Sequence, residues 1–260
     1  MNYKNILVTG AQGFAGKNLI KALKLRADLN LNIFAYSHNL NKPDELEEFC
    51  SSCDLIFNFA GVNRPVNNED FIIGNVKFLA EILDKIKKNN KIKIMLASSV
   101  QASLTGRFAN SEYGRSKLEA EKLLINYASN INNKAEIFIY RLPNLAGAGV
   151  RPNYNSAIAT FCNAIANNLE YKITDRNIML EIVFIEDLVC EMLNLLDDKA
   201  HRLEDEDFYY YVPVSYKASL GEIVDLLNYF KNYNRVHENA GEFELKLYKM
   251  YLSYIKIKEA

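Results

Sequence analysis

The stretch Thr9-Gly10-Ala11-Gln12-Gly13-Phe14-Ala15-Gly16 decides how the rest of the chain is read. It follows the apolar β-type run Asn5–Thr9 and opens a stretch in which Ala15, Leu19, Ala22 and Leu23 recur at helical spacing. In that context each glycine has a task. Gly10 allows a tight turn, Gly13 lets backbone N–H groups approach a pyrophosphate, and Gly16 lets the helix lie close on the strand. The helix turns its positive end toward the phosphates. Gln12 and Phe14 lie in the same turn and are cofactor-binding candidates with the three glycines.

Beyond this turn, strand candidates at Asn32–Tyr36, Leu55–Ala60, Lys93–Ser98 and Glu136–Arg141 alternate with helical patterns such as Val76, Leu79, Ala80, Leu83 and Ile86. The alternation predicts an α/β fold, a doubly wound parallel sheet. After Pro143 the pattern is interrupted by Gly147, Gly149 and Pro152, ahead of a helix around Ser156–Asn167. Residues 1–145 are expected to form a dinucleotide-binding domain, completed by about 181–197, and 146–260 to form mainly a substrate-binding region. That region holds an acidic-then-aromatic segment, Glu204–Tyr211, and an apolar-periodic helix from Ser219 to Phe230.

Composition narrows the partners. In 260 residues, 31 Lys and Arg face 32 Asp and Glu, so no positive field gathers nucleic acid. No apolar run is long enough to span a membrane. The start, Met1-Asn2-Tyr3-Lys4-Asn5, leads straight into Ile6-Leu7-Val8 without a signal-peptide pattern, and the expected location is cytoplasmic. The four cysteines are too few for a disulfide framework. Cys50 and Cys53 read as ordinary thiols ending a helix and starting a strand, and no metal site is expected. The charge runs Glu45–Glu48 and Lys85–Lys88 read as solvated helix faces.

Two further positions bear on chemistry. At the end of the second strand, an acidic residue would bind a ribose 2′-OH and repel a 2′-phosphate. This chain has Ala35-Tyr36-Ser37-His38-Asn39, where Ser37 and His38 offer donors to a phosphate, which favours NADPH over NADH. Tyr113-Gly114-Arg115-Ser116-Lys117 sets a phenol and an ammonium on one helix face, where the cation is expected to lower the phenol's pKa and make it a proton donor and acceptor. Upstream, the fourth strand ends at Ala97-Ser98-Ser99-Val100-Gln101, where α/β sheets present ligand-binding groups. Ser99, with Ser98 as the alternative, would hydrogen-bond the substrate oxygen that Tyr113 protonates.

Together the TGxxGxxG turn, the strand ending Asn58-Phe59-Ala60-Gly61, the strand-end serine and YxxxK resemble the extended short-chain dehydrogenase/reductase family over most of the chain. The resemblance implies a catalytic triad of Ser99, Tyr113 and Lys117, with Lys117 also on the nicotinamide ribose. Ala60, Gly61 and Pro143 would line the cofactor, and Asn75 and Asn144 would lie on the substrate side. Homodimerisation through the helices after Asn68 and Tyr113 is common in the superfamily.

Ala60-Gly61-Val62-Asn63-Arg64-Pro65, Tyr140–Leu145, Pro152–Ser156, Asp175-Arg176-Asn177 and Leu220–Leu227 resemble more narrowly the capsule-synthesis enzymes of the CapF/FnlB type. That implies NADPH-dependent reduction of a UDP-2-acetamido-2,6-dideoxy-4-hexulose toward UDP-N-acetyl-L-fucosamine. Those enzymes usually carry a cupin-like C3-epimerase domain. The chain stops at Ala260 without one, so a separate C3-epimerase is an expected partner.

For the nucleotide diphosphate, Arg64, Arg141, Arg151 and Arg176 are candidate cations, with Asn144, Asn153, Asn155 and Gln101 as candidate amides. Val100-Gln101 after Ser99 cannot supply the acid and base of a dehydratase. The alternatives that stay open are an NAD-dependent nucleotide-sugar 4-epimerase and a catalytically silent NADP-binding sensor.

Overall fold

The computed structural model describes residues 3–87, 91–130 and 133–255. Met1, Asn2, Lys88 and Ala260, on which the readings of the chain ends and of one charge run drew, lie outside the described residues. Two compact units form, one from the described residues up to Leu142 with Val189–Val212, the other from Pro143–Leu188 with the described residues after Val212.

The strands and helices of the first unit alternate as β1 (Asn5–Thr9), α1 (Phe14–Leu25), β2 (Asn32–Tyr36), α2 (Pro43–Ser52), β3 (Leu55–Asn58), α3 (Glu69–Ile72), α4 (Phe78–Lys85), β4 (Ile92–Ser99), α5 (Glu112–Ser129) and β5 (Ala135–Leu142). A π-helical turn, Ile73–Lys77, joins α3 to α4. The sheet order is β2-β1-β3-β4-β5-β8, each neighbouring pair parallel. Its last strand, β8 (Tyr209–Tyr210), comes from the acidic-then-aromatic segment. Parallel strands covered on both faces read as continuous apolar runs, as in the buried Leu55-Ile56-Phe57. Register sets Leu7 beside Ile56, Ile56 beside Ile94 and Ile94 beside Ile137. That row belongs to a buried core with Leu46 and Cys50 of α2, Leu79, Ile82 and Leu83 of α4, and Leu124 of α5.

In the second unit β6 (Asn144–Ala146), β7 (Met179–Phe184) and β9 (Tyr216–Ser219) make a small sheet, with β7 parallel to β6 and antiparallel to β9. Helices α6 (Ala157–Ala166), α8 (Leu220–Tyr233) and α9 (Glu242–Leu252) bury Phe161, Leu227, Phe230, Leu247 and Met250 with Phe184 of β7. The helix starts are written in sequence: Ser156 accepts from the Ala159 N–H at 3.2 Å, and Ser219 and Glu222 cap each other reciprocally. Helix α7 (Ile185–Leu196) returns the chain to the first unit. The expected completing segment 181–197 is therefore divided: Met179–Phe184 pairs in the second unit's sheet, and Val189–Leu196 belongs to the first unit.

Cys50 lies in α2 and Cys53 caps it, both buried, and burial pushes the Cys50 thiol up to about 12 and Cys53 higher. Glu45 does more than face solvent, since its carboxylate accepts the Lys42 N–H at 2.7 Å at the head of α2. Among the described residues no group of three or more His, Cys, Asp or Glu side chains could hold a metal. None of their helices is long and apolar enough to cross a membrane.

Candidate active site

The order β2-β1-β3 places the reversal of winding between β1 and β3, where α/β sheets open a crevice at their carboxyl ends. Gly10 stands there with φ +64°, and a Cβ on it would come 2.8 Å from the Ala60 nitrogen. A Cβ on Gly16 would come 2.4 Å from the Gly10 carbonyl oxygen, so α1 starts tight against the turn with Gly13 as its N-cap. Gln12 and Gly13 are exposed and Phe14 is half-buried, leaving backbone N–H groups open at the helix start. Two further groups of the turn hold the crevice. Thr9 donates to Asn58 Oδ1 at 2.5 Å and accepts from the Ala60 N–H at 3.3 Å, Thr9 and Asn58 both being buried. The Ala11 N–H, bonded to the Tyr36 carbonyl at 3.1 Å, fastens the end of β2 to the same turn.

At that end the Ser37 N–H donates to Asn41 Oδ1 at 2.8 Å, and the exposed His38 ring stands edge-on to Phe78 with centroids 4.3 Å apart. No carboxylate lies between Ala35 and Lys42.

The fourth strand and α5 bring Ser99, Tyr113 and Lys117 together. Ser99 closes β4, accepts the Gln101 N–H at 3.2 Å and is hydrogen-bonded to Tyr113. Lys117 is fully buried, donates to the Ala97 carbonyl at 2.9 Å and stands 5.8 Å from the Tyr113 ring centroid. A Cβ on Gly61 would come 3.0 Å from Lys117 Nζ and 2.7 Å from Asn75 Oδ1, so this exposed glycine leaves open a space that a side chain would close. The glycine turn, the open Gly61 and the buried ammonium fit a dinucleotide.

The electrostatics correct one expectation. Lys117 does not lower the Tyr113 pKa; burial pushes the phenol up to about 12, against the opposing Ser99 hydrogen bond. The ammonium is spent on a backbone carbonyl instead of the phenol. Burial in turn brings Lys117 down to about 8, opposed by the charge of Glu121. Tyr113 is thus a protonated acid at neutral pH, which suits it to give a proton to an oxygen gaining charge.

Several side chains support this group. Asn75, expected toward substrate, instead clamps Val62, accepting its N–H at 2.9 Å and donating to its carbonyl at 3.0 Å and to Ser116 Oγ at 2.9 Å. Ser111 caps α5, accepting the Gly114 N–H at 2.9 Å and donating to Gln101 Oε1 at 2.7 Å, which ties Gln101 to the head of α5. Glu121, one turn beyond Lys117, is completely buried and takes donors from Ser98, Arg141 and Tyr209. Ser98 is therefore engaged away from Tyr113, and Arg141 is an internal ion pair. Neither Ser111 nor Glu121 was singled out, although a serine just before the helix and a carboxylate at i+4 from Lys117 were legible signals.

The other substrate-side candidates each have their own surroundings. Arg64 is exposed on the loop after β3. In the second unit, half-buried Pro143 opens the chain segment, and Asn144 Nδ2 donates to the Glu181 carbonyl at 2.9 Å. Asn153, with φ +56°, gives its N–H to Thr160, while Asn155 is exposed. Arg176 reaches Asp225 at 2.7 Å and the Gly221 carbonyl at 3.4 Å, and Arg151 lies over the Tyr154 ring.

Residues 6–208 match the NAD dependent epimerase/dehydratase family. The chain is 33% identical over 254 residues to a UDP-2-acetamido-2,6-beta-L-arabino-hexul-4-ose reductase of Pseudomonas aeruginosa, covering 96% of this chain and 64% of that protein. It is 39% identical to the capsular polysaccharide assembling protein CapF of Staphylococcus aureus, whose crystal structure superposes with a TM-score of 0.81 over 97% of this chain and 65% of that one. The chain thus spans about two thirds of the length of both. A UDP-glucuronic acid 4-epimerase from Bacillus cereus in complex with NAD shares the fold, with a TM-score of 0.77 at 17% identity, over 97% of this chain and 100% of that one.

Proposed function

The chain belongs to the NAD dependent epimerase/dehydratase family, and on that premise we propose that it is an NADPH-dependent 4-reductase of a UDP-2-acetamido-2,6-dideoxy-4-hexulose. The observation that carries the reading is the meeting of Ser99 with a protonated Tyr113 beside the buried Lys117 and the open Gly61. The similarity to the Pseudomonas aeruginosa reductase supplies the substrate class.

In this reading Gly10, Gln12, Gly13, Phe14 and Gly16 receive the pyrophosphate, Ser37 and His38 the 2′-phosphate, and Ala60, Gly61 and Lys117 the nicotinamide ribose. The bound nicotinamide supplies a hydride for sugar C4. Ser99 orients the C4 carbonyl by a hydrogen bond, and Tyr113 gives its phenolic proton to the oxygen as charge develops there. The Ser99 hydrogen bond, which favours the charged form of Tyr113, stabilises the phenolate that remains. The product is a C4 alcohol, consistent with a place in capsule or O-antigen nucleotide-sugar synthesis in the cytoplasm. A homodimer is part of the proposal, checked by light scattering in solution.

The test is NADPH oxidation with the UDP-2-acetamido-4-keto-6-deoxy sugar pool from a 4,6-dehydratase, with and without an added C3-epimerase. Consumption is expected with the native chain and, at a rate reduced about 100-fold or more, with Tyr113→Phe, which keeps cofactor binding. A requirement for the epimerase would identify it as a partner reaction. Interconversion of C4 epimers without NADPH consumption would transfer the reading to a 4-epimerase, and binding without turnover of either kind to a sensor.

A further inference from the structure

Glu121 is a buried carboxylate that the proposed chemistry does not use, and its surroundings are fully built. Arg141 Nε reaches its two oxygens at 2.9 and 3.2 Å, Arg141 Nη2 donates at 2.6 Å and the Tyr209 hydroxyl at 2.9 Å, and the Ser98 hydroxyl completes the set. Ser98, Arg141 and Tyr209 lie on β4, β5 and β8, three adjacent strands, so one side chain pins α5 across this edge of the sheet. The strand residues flanking Ser98 are the working ones. Ala97 accepts the Lys117 hydrogen bond, and the Ser99 hydroxyl is hydrogen-bonded to Tyr113 in the sense that favours its charged form.

We propose that Glu121 is a positioning residue for the reaction: its fixed negative charge one helical turn from Lys117 keeps that side chain an ammonium, and its bond to Ser98 holds β4 in the register that sets Ser99 against Tyr113. For turnover, this rests on the reductase reading. A neutral side chain could fill the same space, but a buried carboxylate is retained only when its charge is answered and its lone pairs are satisfied, as they are here. Several groups surround Lys117. Helix α5 contributes Tyr113 and Glu121 and β4 the Ala97 carbonyl, the Asn75 amide lies with Lys117 Nζ beside Gly61, and Ser98, Arg141 and Tyr209 are turned onto Glu121. Of the charges, Glu121 is the one that strengthens proton binding by Lys117 against its burial.

The experiment follows Lys117 itself by NMR titration of protein labelled at lysine Cε, with Lys117→Arg used to assign the signal. The native midpoint is expected near pH 8. In Glu121→Gln, proton binding should weaken about tenfold, and the alkaline limb of NADPH turnover should move down in pH with it. Ser98→Ala keeps the charge, so it should leave the midpoint in place and lower kcat. An unmoved midpoint in folded Glu121→Gln overturns the proposal, as does an equal shift in Ser98→Ala. Should Glu121→Gln lose its cooperative thermal transition, Glu121→Gln/Arg141→Met removes the carboxylate together with its ion-pair partner; a weakening of the same sign but less than about tenfold is expected there, and an unmoved midpoint overturns the proposal. The titration needs neither substrate nor cofactor, so a native chain without turnover would defeat the reductase reading while the titration still decides the role of Glu121.

Discussion

Lys117 shows what a single side chain costs the fold in order to serve a site. It is fully buried, and burial holds its pKa near 8, below the ordinary 10.5. A base whose folded value is depressed binds fewer protons in the native state than in the unfolded chain. The penalty is therefore complete below about pH 8, and stability is regained as pH rises from there toward 10.5. The shift corresponds to about 3 kcal/mol, from which the lost bond to the Ala97 carbonyl subtracts about 1 kcal/mol. Lys117→Met should therefore be more stable than the native chain by about 2 kcal/mol at pH 7. Urea unfolding at several pH values should find the advantage shrinking between pH 8 and 10.5, and no advantage at pH 7 would refute the argument. Tyr113 carries the companion lesson. The i,i+4 spacing to Lys117 was legible in the sequence, but the sense of the phenol's perturbation was not, because burial and the direction of the ammonium are properties of packing.

At the scale of elements, glycines and caps translate sequence directly into geometry. A methyl on Gly16 would meet the Gly10 carbonyl at 2.4 Å, backbone against backbone, so α1 would have to move off β1. Gly16→Ala should cost about 2 kcal/mol or more and weaken NADPH binding in fluorescence titrations, whereas unchanged affinity would mean the turn does not seat the pyrophosphate. In the second unit, Ser219→Ala removes one half of the reciprocal cap on α8 and should lower stability by about 1 kcal/mol in chemical denaturation. Such signals are local, which is why Asn5–Thr9 and Asn32–Tyr36 were legible to the residue, and why the helix expected at Ser156–Asn167 is α6 with those residues as its caps. The elements that escaped lack them. β8 is two residues long within an acidic segment, and α9 starts at Gly241 without a side-chain cap.

For the molecule as a whole, ligand linkage gives the broadest test of the cofactor reading. A dinucleotide held by the folded chain at about one hundred times its Kd stabilises it by about 2.7 kcal/mol. NADPH should therefore raise the thermal midpoint more than NADH at equal concentration, because the end of β2 offers Ser37 and His38 and no carboxylate. A larger rise with NADH would reverse the preference. Some properties follow from residue types at fixed short spacing, and these the chain determined alone: an alternating α/β fold, a glycine turn at the first strand-helix junction, and the Tyr113–Lys117 pair with a serine at a strand end. Period and steric size act over a few residues, so they are legible without any tertiary knowledge. Other properties were decided only when distant segments packed. Strand order brought β8 beside β5 and Tyr209 onto Glu121, 88 positions away. Packing also turned Ser98 to Glu121 while Ser99 met Tyr113, and gave the Asn75 amide to Val62. Neighbouring serines of one strand are equivalent by spacing, and only the surroundings that burial assembles distinguish them.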